Sequence, residues 1–242
     1  MTGLLALALL AGGLEMPPLT PGSSLSPALL AEEGPWLPGL AASEQIYAFV
    51  ANPFGIPDLW YMGLGIRKHP WSVAARQYGN PLYRHLRLNW GVRSPQIPVL
   101  LGIGVETLRL GPESLEGLWW EVGTPVWHRS PVHLETVAWG HLLRKGYRWV
   151  GLRVLGRLTT SPIVGFALDL EPNRPPTLAW HVAQRIHRLL ALQLAYRSAP
   201  RLLVLSVGMY TRPALVYSVA YHPDLGLSHG AGMLWWTHTP KE

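Results

Sequence analysis

The sequence predicts an all-β protein, a closed antiparallel transmembrane β-barrel of about 12–14 strands with an N-terminal loop or plug segment. Three observations predict it. From about residue 57 to the end, apolar and polar residues alternate with a period of two, in blocks of about ten separated by turn residues. The apolar faces of these blocks carry almost no charge and have Trp or Tyr near their ends. The opposite faces carry Gly, Arg, His, Gln and Asp in place of a second packed core. In a soluble sandwich those polar faces would lie outside and the aliphatic faces would meet in the middle.

Composition points the same way. Of 242 residues only 14% are charged, against about 25% in an average soluble domain, and mean hydropathy is +0.14. Aromatic content is weighted to amphipathic rings, with 12 Trp and 9 Tyr but 3 Phe. Such rings favour sites that are apolar on one side and wet on the other, as at a bilayer interface or a carbohydrate surface. Without Cys there is neither a disulfide framework nor thiolate chemistry. The net charge of +6 is scattered along the chain, which argues against a nucleic-acid partner.

Residues 1–15 read as a signal-peptide-like segment. The apolar run from Leu4 ends in small residues at Gly13 and is too short for a spanning helix of about 20 residues. A buried element of the mature fold is the alternative. Residues 16–56 are broken by Pro17-Pro18, Pro21-Gly22 and Pro38-Gly39 and form a loop, plug or lumen segment. Within it, 45–51 is read either as a first strand or as chain folded inside the barrel mouth. Residues 57–242 form the barrel.

The clearest strand is Tyr83–Arg93, with Leu86, Leu88, Trp90 and Val92 on one face and His85, Arg87, Asn89 and Arg93 on the other. Trp60–Ile66 alternates before it, and Trp71–Tyr78 is weaker. Val99–Thr107 and Leu118–Val122 follow, and 132–143 alternates less cleanly. Val150–Leu158 leaves Arg153 and Arg157 opposite its apolar residues. Val164–Leu170 leaves Asp169 and Glu171 opposite its own. A hairpin turning near Ser161 sets Arg153 roughly opposite Asp169, an ion pair suited to a narrow polar lumen. His181–Leu194 fits two strands, with Arg197 on the polar face of the second, and also fits an amphipathic helix. Leu203–Met209, Leu215–Tyr221 and Leu227–Trp236 complete the series.

No catalytic set with useful spacing is present, and no metal or cofactor is expected. The ten His form neither HxH nor HExxH. His85, His181 and His187 are lumen or loop residues. Gly63-Leu-Gly65 and Gly102-Ile-Gly104 lie inside strands with no following helix, so they relieve crowding and do not cradle phosphate.

Asn52, Pro53 and Gly55, in Ala51–Ile56 after Ala41-Ala-Ser-Glu, resemble the "NPAGL" segment near the mature start of FadL/PorV-type outer-membrane barrels. His222, Pro223, Gly226 and His229, in Val219–His229, resemble the "yHPxLGxsH" segment of PorV/PorQ-like proteins of Bacteroidota. On the residues themselves, His222 and His229 shape the turn and strand around Pro223–Gly226. The last strand, with Gly230, Met233 and Trp235, is similar to the signal read by the barrel-assembly machinery. The resemblance implies a non-enzymatic outer-membrane protein of about fourteen strands, surrounded by outer-membrane lipid. It implies a scaffold or shuttle in surface-protein export, with other secretion or envelope proteins as partners. FadL-like passage of small hydrophobic molecules is the alternative, with Arg87, Arg153, Arg157 and Arg197 meeting a carboxylate. A soluble secreted carbohydrate-binding β-protein is a third reading.

Overall fold

The computed structural model describes residues 44–68, 71–93, 99–129, 131–143, 148–158, 162–172, 175–198 and 201–236. The signal-peptide-like segment and most of the loop or plug segment lie outside them. Fourteen strands follow in chain order. The first seven are β1 (Glu44–Asn52), β2 (Trp60–Lys68), β3 (Trp71–Gly79), β4 (Tyr83–Arg93), β5 (Leu100–Leu110), β6 (Glu113–Arg129) and β7 (Val132–Leu143). The second seven are β8 (Arg148–Leu158), β9 (Ile163–Leu170), β10 (Thr177–His187), β11 (Leu190–Ser198), β12 (Arg201–Met209), β13 (Ala214–His222) and β14 (Gly226–Trp236). Each pairs antiparallel with its sequence neighbours, and β1 pairs with β14 from Gln45↔Trp236 to Asn52↔His229. The ladder therefore has no free edge, which is the condition for strands to cross a bilayer.

Of the two readings of 45–51, the structure takes the strand. The barrel starts at Glu44, and the boundary expected near residue 57 moves forward. Residues 181–194 are likewise strands, β10 and β11, joined by a turn at Arg188–Leu189. Their helical appearance has a simple cause. Val182, Ile186, Leu190 and Leu194 are spaced by four, which suits one face of a helix and the outward set of two strands equally well.

Alternation along each strand separates two surfaces. Leu64, Trp71 and Ile103 point outward and are more than half exposed. They belong to an apolar belt that continues through Leu88, Leu152, Phe166, Leu205 and Met233. Contiguous apolar area on that scale has no place in water, whereas lipid chains solvate it directly. Strands of 9–11 residues predominate, a length that suits a tilted crossing. The soluble reading is left without a water-compatible surface.

The weak alternation of β7 also has a cause. Its outward positions include Thr136, Ala138 and Gly140, and the Trp120 ring of β6 lies across Gly140. A Cβ on Gly140 would meet that ring at 2.7 Å. The apolar mass on this part of the wall is supplied by a neighbouring strand. The 17-residue β6 absorbs a register shift at Pro125/Trp127, which interrupts its own alternation and leaves that of β7 continuous.

Candidate functional site in the barrel lumen

The inward face is built from the other half of each alternation, and it carries ion-pair groups on β4–β5 and on β8–β9. On β4 and β5, Glu106 is the hub. Arg87 Nη2 donates to Glu106 Oε2 at 3.2 Å, and His85 Nε2 lies 3.0 Å from the same oxygen. The Arg87 guanidinium also sits 5.5 Å from the Trp119 ring centroid on β6, a cation–π geometry. Arg76 on β3 is the direct register partner of Arg87, so two like charges share the wall that carries Glu106.

The second group is on β8 and β9, where Arg153 and Asp169 stand directly opposite one another. Arg153 Nε donates to Asp169 Oδ1 and Nη2 to Oδ2, the latter at 3.2 Å. This is the bidentate fork that fixes an arginine against a carboxylate. Glu121 on β6 is buried and lies against Gly102 of β5. Arg197 is half-buried at an inward position of β11, opposite Leu202. The strand positions of Arg93 and Arg157 fall in the same inward alternation, and their side chains lie outside the described set. Among inward residues with described side chains, Arg76, Arg87, Arg153 and Arg197 stand against Glu106, Glu121 and Asp169, while Arg185 and Glu113 occupy inward positions close to the two rims.

The lumen is not uniformly polar, contrary to the alternation argument. Phe49, Tyr61 and Tyr78 pack with Leu202, Val204 and Ala220 toward the rim opposite the chain ends. Phe49, Tyr61, Tyr78 and Tyr83 form an edge-to-face series with centroids 5.0, 6.1 and 5.7 Å apart. Glycine makes room for the rings on the same wall. A Cβ on Gly65 would lie 2.2 Å from the Tyr47 ring, and one on Gly63 2.4 Å from that of Phe49. Several inward residues nearer the start of β1 and the end of β14 are small, as with Gly102 and Gly104 on β5, Gly165 and Ala167 on β9, and Ser206 and Gly208 on β12, while Leu234 packs with Ala191, Ala214, Tyr47 and Tyr210 at the same rim. Ser218 Oγ donates to Ser206 Oγ at 2.8 Å in that part of the wall. Among the described residues no three His, Asp or Glu side chains come together as a metal site.

Closure of β1 on β14 brings the two short motifs side by side, although about 170 residues separate them. Asn52 ends β1, and its Nδ2 donates to the carbonyls of Ile56 and Leu59, each at 2.9 Å. These bonds brace a single 3-10 turn, Pro53–Gly55, in which Gly55 has φ +62°. That turn packs beside β14. His222 ends β13, and its Nδ1 accepts the backbone N–H of Asp224 at 3.1 Å and of Leu225 at 3.2 Å. Pro223 is exposed in this turn, and Gly226 closes it at φ +85°. His229 faces outward, with Nδ1 2.8 Å from Tyr217 Oη on the lipid side.

No family model matches the chain, and no curated protein matches it. Among solved structures, the outer membrane protein Omp33 of Acinetobacter baumannii superposes with a TM-score of 0.52 at 8% identity, covering 82% of this chain and 100% of its own. The fold is that of an outer-membrane β-barrel. The KdgM porin has a TM-score of 0.46 at 11% identity, covering 80% of this chain and 99% of its own. The NanC porin has a TM-score of 0.39 at 7% identity, covering 81% and 100%. With its lipid-solvated outer belt, this barrel belongs in an outer membrane.

Sequence reasoning under-read part of the lumen. Arg76 sits on the weakly patterned β3, and Trp119 reads as one aromatic among many. Their association with Arg87 needs the β3–β4–β5–β6 register, which turn lengths alone do not fix to one residue.

Proposed function

We propose that the chain is a passive outer-membrane channel for small solutes, with a preference for anions. The observation that carries it is the inward wall, where four arginines accompany three carboxylates inside a closed fourteen-stranded barrel. Eight strands enclose an interior that side chains fill, and sixteen to eighteen leave an aqueous channel. Fourteen strands lie close to the second case. In a low-dielectric shell an excess of fixed positive charge raises the local anion concentration and repels cations. The apolar cluster beside this charge also suits amphipathic carboxylates, which keeps FadL-like passage within the same class. The test is efflux from proteoliposomes. Small carboxylates should leave faster than cations of equal size, and Arg76→Gln with Arg197→Gln should shrink the difference. Equal fluxes for both signs of charge would reject the proposal.

A second reading, a PorV/PorQ-like scaffold for surface-protein export, is favoured by one observation. The two family-like motifs form adjoining turns at a single rim. Cross-linking from Pro223→Cys to envelope proteins, lost when Asn52 and His222 are both replaced, supports a scaffold. Failure to cross-link leaves the channel reading standing alone.

A further inference from the structure

The barrel's two rims differ in charge. The rim carrying the start of β1 and the end of β14 has eight Lys and Arg within three residues of a strand end or in its turns, against Glu44 and Glu135. The opposite rim, counted the same way among the described residues, has six against six acids. At the terminal rim Lys68, Arg188 and Arg212 are exposed and Arg129 ends β6, whereas the strand positions of Arg67, Arg93 and Arg157 fall in the inward alternation and add charge at the lumen mouth. Arg185 serves a different purpose. Its guanidinium donates to the carbonyls of His187 and Arg188 and stacks 4.6 Å from the Tyr210 ring, fixing the β10–β11 turn that displays Arg188.

Depth decides what this collar meets. Trp71, the register partner of Lys68, is 63% exposed, and Trp90 and Trp235 face outward near the same rim. Amphipathic rings of that kind settle at the headgroup level of a bilayer. Cations at the same height therefore lie at the phosphates, not in bulk solvent where a soluble acidic protein would approach.

We propose that the terminal rim is a docking collar for anionic phospholipid headgroups, which anchors this end of the barrel at its leaflet. The collar holds whether or not the lumen conducts. A cation near an anionic surface favours the charged lipid by about fivefold, an effect that fades beyond the Debye length.

The test uses the full chain in phosphatidylcholine vesicles containing spin-labelled phosphatidylglycerol or spin-labelled phosphatidylcholine. The native chain should retain the phosphatidylglycerol label preferentially, and salt should weaken the preference. Lys68→Gln, Arg188→Gln and Arg212→Gln together should reduce it by up to about fivefold per cation. Arg84→Gln, Arg109→Gln and Arg201→Gln at the other rim should leave most of it. No lipid preference in the native chain, or equal losses in the two variants, overturns the collar. If the first variant does not form a barrel, the salt dependence of the native chain decides alone: a preference unmoved by salt rejects it.

Discussion

At the scale of single residues, the Arg153–Asp169 fork has the most to lose. Both side chains are largely withdrawn from solvent, at 13% and 11% exposure. Removing one partner leaves the other charge uncompensated, which costs about 3 kcal/mol for a buried pair. Asp169→Asn should therefore lower the temperature at which the barrel unfolds in detergent. Arg153→Met with Asp169→Leu should recover much of the loss, because no charge is left stranded. Equal destabilisation by the single and double variants would contradict this. Tyr210, just beyond the end of β12, supplies a pH dependence. Burial pushes its hydroxyl up to about 12, with Arg185 pulling the other way. A folded-state value above the unfolded one stabilises fully below pH 10 and is lost as pH rises toward 12. Alkaline unfolding between those limits should be shallower in Tyr210→Phe, measured by circular dichroism across the range.

At the scale of elements, the turns and the closing strand matter most. Asn52 and His222 each satisfy two backbone groups in turns that adjoin at one rim. Replacing either by Ala should cost about 1–2 kcal/mol, read as a lower urea midpoint with unchanged strand content. Val50→Pro should do more, since β1 pairs on both sides and has no edge to spare for a residue without an N–H. The expected result is a chain that fails to migrate as a compact, heat-sensitive species on SDS gels. Elements were also the most legible level. Tyr83–Arg93 is a strand to the residue because its period of two runs unbroken from His85 onward, with only Arg84 out of place on the apolar face. Residues 181–194 resisted because outward positions four apart serve a helix and a pair of strands alike. The first strand was ambiguous because Tyr47 and Phe49 bring apolar bulk to its inward face, as Ile46 and Val50 do to its outward face, and the alternation vanishes.

At the scale of the whole molecule, the closed barrel was readable from the faces, and the lumen only in part. Arg87, Arg153 and Asp169 stand where alternation puts them. The association of Arg76, Arg87, Glu106 and Trp119 depends on register across four strands, which no local pattern encodes. The ring series from Phe49 to Tyr83 was hidden for another reason. In strands with two apolar faces the inward set looks like more of the belt, and the Leu202 and Val204 positions of β12 show it. The consequence is a lumen divided between an aromatic wall near one rim, ion pairs beside it, and, toward the rim at the start of β1, small residues with the Leu234, Tyr47 and Tyr210 cluster among them.

That division makes ion selectivity the property on which the account turns. The measurement is the reversal potential of the chain in a planar bilayer under a potassium chloride gradient, for the native protein and for Arg76→Gln with Arg197→Gln. Discrete conductance steps with a reversal potential of anion-selective sign, moving toward zero in the double variant, are the predicted result. A folded barrel that passes no current, or one that selects cations, would contradict the channel.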